Sequence, residues 1–267
     1  MAQTMSTSFR HLHQRKGQLL ILPNAWDVCS AKIIESLGGL AIATTSAGVA
    51  WSQGFTDGGA LPIAKQEELA SSLVRSVSIP VTVDVEAGYS NDPSVVAENV
   101  LRLCSAGVAG INIEDGGDPP ILLAKKVEAV KHVLSAHGLD GFINVRTDVY
   151  LRDMCVDAEK VAMVGSREEL YRSAGADGLF VPGLIDPEHI RAIASAAELP
   201  LNVMAMPGLG GAEDLVDLGV VRLSTGSGLA QCAWAKTLDL AREFLRTGRS
   251  EALADAVDYG YLQALLS

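Results

Sequence analysis

The chain has 267 residues, 48% apolar and 20% charged, a composition that excludes a disordered polymer and supplies a large core. Its formal net charge of −11, with no basic cluster beyond Arg10–Lys16, lacks the electrostatic footprint of nucleic-acid binding, so no nucleic-acid partner is expected. No uncharged apolar stretch of ~18 residues occurs, and the polar start Met1–Gly17 has no secretory apolar run. The expectation is therefore a cytoplasmic protein with no membrane partner.

After this N-terminal segment (1–17), short apolar or β-branched runs alternate with helical patterns up to about Gly248. Eight runs read as strands: Leu19–Pro23, Leu40–Thr44, Val81–Val85, Gly110–Glu114, Phe142–Arg146, Gly178–Val181, Leu201–Met204 and Val221–Ser224. Eight strands with intervening helices predict an α/β fold, a (β/α)₈ TIM-type barrel, as one domain over 1–267. Asp92-Pro93 and Asp186-Pro187 each place a helix N-cap before a proline at the first helical position. Val96, Val100 and Cys104 share one helix face, as do Ile190, Ile193, Ala194 and Ala197. Gly38, Gly107, Gly175 and Gly219 stand where a left-handed C-cap precedes a strand. Beyond the eighth strand a long helix is predicted from about Leu229 to Arg246, broken by Gly248, and a second from Glu251 to Leu266, within a C-terminal helical extension over 249–267. Trp234, Leu238, Phe244 and Leu245 give the first more apolar surface than one barrel needs, which predicts a contact with a second subunit. The four cysteines, Cys29, Cys104, Cys155 and Cys232, form no C-x-x-C pair and suit packing better than disulfides or zinc.

Barrel chemistry gathers at the C-terminal ends of strands, and the polar groups that fall there are predominantly acidic. Thr45-Ser46-Ala47-Gly48 and then Asp57 follow the second strand, Asp84 and Glu86 end the third, Glu114-Asp115 the fourth, and Arg146-Thr147-Asp148 the fifth. Asp84 and Glu86, two apart on an extended segment, are expected to point the same way and to converge with Glu114 on the adjacent strand. Such carboxylates repel unless a cation neutralises them, and hard oxygens without histidine or cysteine select Mg²⁺, with Mn²⁺ possible. The other reading of Glu86 and Asp115 is as solvated loop charges paired with Arg or Lys. Ser46-Ala47-Gly48 offers consecutive backbone N–H groups able to cradle a carboxylate. Arg146 either meets a substrate carboxylate or forms a salt bridge to Glu114 or Asp148, and Asn202 either donates to a substrate oxygen or satisfies a buried backbone group. Glu114 and Arg146 are the candidate catalytic residues.

The ordered motifs PNAWD, TTSAG, VDVEAGY, GINIED, NVRTDVY, GADGLFVPG and PLNVMA resemble the isocitrate lyase and phosphoenolpyruvate mutase superfamily over about Leu20 to Gly248. The resemblance implies a barrel whose eighth helix is exchanged with a neighbour, a homo-oligomer (dimer or tetramer), and Mg²⁺ bound with a small carboxylic-acid substrate. It carries the metal-site acids onto Asp57, Asp84, Glu86 and Glu114, with Asp84 the direct ligand, and the substrate site onto Trp26, Ser46, Ala47, Gly48 and Arg146. Glu86 stands where many members carry aspartate. The lyases of the superfamily resemble one another in a loop carrying a reactive cysteine after the fourth strand, whereas this chain has Gly116-Gly117-Asp118-Pro119-Pro120 there. The longer gating loop of the mutases is missing as well. The expected activity is a Mg²⁺-dependent carbon–carbon lyase or decarboxylase acting on a small 2-oxo or 2-hydroxy (di)carboxylate. The alternatives are a phosphonopyruvate-type hydrolase or mutase and a non-catalytic 2-oxo-acid-binding barrel. The glycines of 207–211 and 224–228 also admit a generic phosphate site, though they serve equally as loop turns.

Overall fold

The computed structural model describes residues 2–15 and 17–267; Met1 and Lys16, the ends of the start and of the basic cluster read from the sequence, lie outside them. Parallel strands run β1 (Leu20–Leu22), β2 (Asn24–Ala25), β3 (Ile42–Thr44), β4 (Val81–Asp84), β5 (Gly110–Glu114), β6 (Phe142–Arg146), β7 (Gly178–Phe180), β8 (Leu201–Met204) and β9 (Arg222–Ser224). Each pairs with its neighbour in sequence order, except that β1 pairs with β9 while β2 pairs with β3. The first strand, expected over Leu19–Pro23, thus runs on to Ala25 and is split at Pro23, which has no N–H to give to a ladder. Its two halves join the opposite edges of the sheet and close the barrel.

The helices are α1 (Ala2–Leu12), α2 (Val28–Ser36), α3 (Ser46–Ser52), α4 (Ile63–Ser76), α5 (Pro93–Ser105), α6 (Pro120–Ala136), α7 (Asp157–Ser173), α8 (Pro187–Ala196), α9 (Ala212–Asp217), α10 (Gly228–Thr247) and α11 (Tyr259–Leu266). Asp92 and Asp186 cap α5 and α8 as expected, accepting from Ser94 N and from Glu188 and His189 N. Val96, Val100, Cys104, Ile190 and Ile193 are buried against the sheet, with Ala194 and Ala197 packed beside them. Gly38, Gly107, Gly175 and Gly219 adopt φ of +87°, +105°, +101° and +88°, the left-handed stops read from the sequence.

The N-terminal segment, given no element from the sequence, is structured, and the expected tail helix needs correction. The N-terminal segment contains α1, whose Phe9 is fully buried under the barrel against Phe142, with ring centroids 5.5 Å apart, so it plugs the N-terminal end. The tail is not one helix from Glu251: a 3₁₀ turn at Glu251–Leu253 ends, and Asp258 starts α11 by accepting from Tyr261 N at 2.9 Å. A capping carboxylate that captures its own N–H groups makes a fresh start rather than a continuation. α10 buries only Ala230 within this chain, leaving Leu238, Phe244 and Leu245 exposed. None of the described helices is long and apolar enough to cross a membrane.

The barrel interior is unusual for its layer of polar groups. Below, Leu20, Leu22, Ala43, Phe142 and Phe9 form an apolar floor. Above it, where bulky aliphatic residues usually fill a barrel, stand buried Thr82, Asn112, Asn144, Asn202 and Arg222.

Candidate active site

A cavity of about 240 Å³ opens at the C-terminal strand ends, lined among others by Asn24, Thr45, Ser46, Ala47, Asp57, Asp84, Asn112, Arg146, Ser224 and Gly226. Asp84 ends β4 and is 8% exposed. Its position is fixed on three sides: its N–H donates to Thr44 Oγ1 at 2.9 Å, its carbonyl accepts from Gln66 Nε2 at 3.1 Å, and its Oδ1 accepts from Glu86 N at 3.0 Å. Burial pushes the carboxyl pKa up, Arg146 and a side-chain hydrogen bond from Asn112 oppose that, and Asp57 adds to it.

Glu86 does join Asp84, but not by strand alternation. β4 ends at Asp84, and Glu86 sits in the left-handed region at φ +52°, so the expected two-residue parity does not apply and a tight turn brings the residues together. Its carboxylate accepts backbone hydrogen bonds from Gly59 and Gly58, while burial, then Asp57 and Asp84, push its pKa up to about 7. Tyr89, at φ +62°, hydrogen-bonds to Glu86. Two such non-glycine residues cost on the order of 1–3 kcal/mol each, and the surroundings must over-determine the loop. Buried Lys126 donates to Ala87 O at 2.8 Å and Asn99 Nδ2 to Gly88 O at 3.0 Å.

Glu114 ends β5 opposite Arg146 on β6. Burial pushes it up to about 8 against the pull of Arg146, whose Nη1 stands 2.9 Å from Glu114 Oε2. Arg146 also donates from Nε to Asp148 Oδ1 at 2.7 Å, so both salt bridges considered from the sequence exist at once. Burial works against its charge, but Glu114, Asp148 and Asp84 together raise its pKa. Asp57 is exposed on the loop above and lines the cavity.

Asp115 is a clamp rather than a ligand. Its Oδ2 takes Arg167 Nη1 and Tyr171 Oη, each at 2.6 Å, and its Oδ1 accepts from Asp148 N at 3.1 Å. This confirms the paired-charge reading for Asp115, and it fixes the segment that presents Arg146 and Asp148. Ser46, Ala47 and Gly48 form the first turn of α3, whose N-cap Thr45 makes no side-chain cap, and Ser46 and Ala47 face the cavity. A Cβ on Gly48 would meet Thr45 Cγ2 at 2.6 Å and Trp26 Cβ at 3.0 Å. Trp26 packs behind this turn, 6.0 Å from Trp234, and is not among the lining residues. Asn202 is 1% exposed and gives its amide to Val203 O, Arg222 O and Ser224 Oγ, which favours the backbone-satisfying role over substrate contact.

Asn24 escaped sequence reading. Its Nδ2 donates to Thr44 O at 2.7 Å and its Oδ1 accepts from Thr225 and Gly226 N, tying the split first strand to the turn after β9. The one available signal was its place directly after Pro23 at a strand end.

A second cavity of about 410 Å³ adjoins the acid cluster, lined by Gly58, Gly59, Glu86, Tyr89, Glu114, Gly116, Gly117 and Arg152, and no cysteine lines either cavity. A cavity of about 460 Å³ lies at the other end of the barrel, bounded by Arg10, His13, Phe142 and Asp177, away from every strand-end acid. Among the described residues no three of His, Cys, Asp and Glu are already disposed to hold a metal ion.

The family model described as phosphoenolpyruvate phosphomutase matches residues 9–245. An uncharacterised protein of Mycobacterium tuberculosis is 37% identical over 263 residues, 97% of this chain and 96% of that one. An oxaloacetate decarboxylase of Bradyrhizobium sp. is 31% identical over 73% of this chain and 68% of its own. Among solved structures, a Burkholderia cenocepacia protein described as a candidate phosphonomutase is 37% identical with a TM-score of 0.85, covering 90% of this chain and 99% of its own. The fold is shared as far as 2,3-dimethylmalate lyase, at 23% identity and a TM-score of 0.86, over 98% of this chain and 94% of that one. With the family model matched along most of its length and acids, arginine and α3 turn meeting at the strand ends, this chain belongs to the phosphoenolpyruvate phosphomutase family, as an enzyme of the isocitrate lyase/PEP mutase superfamily.

Proposed function

We propose that the protein is a Mg²⁺-dependent carbon–carbon lyase or decarboxylase for a small 2-oxo or 2-hydroxy dicarboxylic acid. The observation that carries the reading is the acid cluster itself: Asp84 and Glu86 are buried, Glu114 half-buried, all with raised pKa, and Arg146 is the main cation facing Asp84 and Glu114. Such a set fits a hard divalent cation. No three acids are disposed as a ready cage, so Asp84 would be the direct ligand and Glu86, Glu114 and Asp57 would support the ion through water, as suits Mg²⁺. When bound, the ion supplies Lewis-acid stabilisation of negative charge on the substrate's keto oxygen. The remaining work belongs to the chain. Ser46, Ala47 and Gly48 receive the substrate carboxylate on the N–H groups of the first turn of α3, and Arg146 neutralises it from the opposite wall. Glu114 pairs Oε2 with Arg146, which leaves Oε1 to exchange a proton with the substrate.

Decarboxylation of a β-carboxylated 2-oxo acid needs little beyond this electron sink, which suits a site with no cysteine at its mouth. The relation to an oxaloacetate decarboxylase supports the same choice. The purified protein with oxaloacetate and Mg²⁺ is expected to release pyruvate well above the metal-only background. Absence of turnover with oxaloacetate and with methylisocitrate-like acids would overturn the lyase reading. The match to the phosphomutase model favours one competitor, cleavage or rearrangement of a carbon–phosphorus bond in phosphonopyruvate. Phosphate or phosphoenolpyruvate formed from phosphonopyruvate establishes it instead. Oxo-acid-dependent thermal stabilisation without turnover of any of these substrates establishes a binding protein.

A further inference from the structure

Arg222 on β9 is 1% exposed in the barrel interior, and among the described residues no carboxylate forms an ion pair with it. Its Nε and Nη1 have no partner, its carbon Cζ lies 5.8 Å from the centroid of the Phe9 ring, and its Nη2 donates to Asn112 Oδ1 at 3.3 Å. Because β9 and β5 are not neighbours in the sheet, this hydrogen bond crosses the barrel. A guanidinium buried without a paired acid is a net liability to folding, so its contribution lies elsewhere.

A side-chain amide can turn over and exchange its donor and acceptor ends, whereas a guanidinium has donors only. Asn112 Oδ1 receives two donors, Arg222 Nη2 at 3.3 Å and Asn144 Nδ2 at 2.9 Å. Asn144 gives its other amide hydrogen to Asn202 Oδ1 at 3.1 Å, and Asn202 Nδ2 is taken up by Val203 O. The belt therefore has one sense around β5, β6 and β8, held at the Asn202 end by carbonyl oxygens that only accept and at the Asn112 end by Arg222, which only donates. With its oxygen doubly occupied, Asn112 turns Nδ2 to the other side, where Asp84 is its register partner on β4 and lines the same strand-end cavity.

We propose that Arg222 is a positioning residue for the strand-end site: by donating across the barrel to Asn112 it locks that amide with Nδ2 toward Asp84, and so fixes the carboxylate from below. The consequence for metal binding rests on the reading above, in which Asp84 is the direct ligand; the orientation of Asn112 does not.

The test compares Arg222→Met, which keeps side-chain bulk and removes the donors, with Arg222→Lys, Asn112→Ala and the Arg222→Met/Asn112→Ala double variant, all full length. Arg222→Met is expected to melt at or above the wild-type temperature, because an unpaired buried cation is gone, and yet to bind Mn²⁺ about tenfold more weakly by calorimetry. Arg222→Lys recovers part of that loss. In the Asn112→Ala background, Arg222→Met changes the Mn²⁺ dissociation constant by less than about twofold, since the two act in series. The crystal structure of Arg222→Met shows the Asn112 amide turned from Asp84; should that variant not fold, Arg222→Gln takes its place. Unchanged Mn²⁺ affinity with Asn112 in place, or additive losses in the double variant, overturns the proposal. If the wild type binds no Mn²⁺, the metal reading fails and the position of Asn112 in the variant decides this one alone.

Discussion

Asp84 and Arg146 meet in the cavity from β4 and β6, and each is held so firmly that a small change in either is expected to register in function before stability. Asp84→Asn keeps the shape and the hydrogen bond from Glu86 N but removes the charge. It is expected to lower kcat by roughly 10²–10³, the scale of losing one principal electrostatic stabiliser, with a melting temperature close to wild type. Steady-state kinetics beside a thermal melt checks both halves. Gly48 offers the opposite case, a residue whose substitution acts through sterics. A methyl group there would stand 2.6 Å from Thr45 Cγ2, so Gly48→Ala is expected to destabilise by about 1–3 kcal/mol in urea titration and to raise KM by displacing the α3 turn. Asp57 and Glu114 were legible from their places after strands. Glu86 was legible in identity but not in geometry, because a left-handed φ on a non-glycine residue leaves no mark in composition. Asn24 and Arg222 were invisible as functional candidates, since a polar residue within an apolar run reads as an interruption until the strands are rolled into a barrel.

Among the elements, strands and helices followed the sequence closely because hydrophobic period, Asp-Pro caps and glycine stops agreed with one another. They failed where one residue overruled the pattern: Pro23 split a strand, and Asp258 restarted a helix. The loops after β4, β5 and β6 are held by buried polar contacts rather than apolar packing. Asp115 is the centre of one such arrangement, with Arg167, Tyr171 and the Asp148 N–H all directed at it. Asp115→Ala leaves the half-buried Arg167 without its acid and with only Thr147 Oγ1 in reach, and breaking such a largely buried pair costs roughly 3–5 kcal/mol. Chemical denaturation of this variant is expected to show that loss, together with lower activity from a displaced Arg146, although the substituted residue need not touch substrate.

Over the whole molecule, the two ends of the barrel respond to different conditions. At the closed end, His13 stacks on Phe142 at 4.1 Å and gives Nδ1 to Phe9 O at 2.9 Å. Burial, reinforced by Arg222 and Arg10, lowers its pKa to about 3. An unfolded histidine titrates near 6.5, so below that pH the unfolded chain binds a proton that the native chain refuses. The stability contributed by neutral His13 is complete above about pH 6.5 and falls as pH drops toward 3. His13→Phe is expected to lose less stability than wild type between pH 7 and pH 5 in paired thermal melts. On the outer surface, exposed Leu238, Phe244 and Leu245 on α10 are expected to meet a second copy of the chain, and light scattering should find a dimer or tetramer that Leu245→Asp weakens.

From single residue to whole barrel, the strand-end acids are expected to hold Mg²⁺ against an enolate-like ligand. Oxalate, planar and doubly charged, resembles the enolate of a 2-oxo acid, and calorimetric titration of the protein with oxalate measures that binding. Oxalate is expected to bind in the presence of Mg²⁺, to bind at least about tenfold more weakly without it, and to be lost with Asp84→Asn. Equal oxalate affinity with and without Mg²⁺, or undiminished Mg²⁺-dependent binding by the Asp84→Asn protein, would contradict the account.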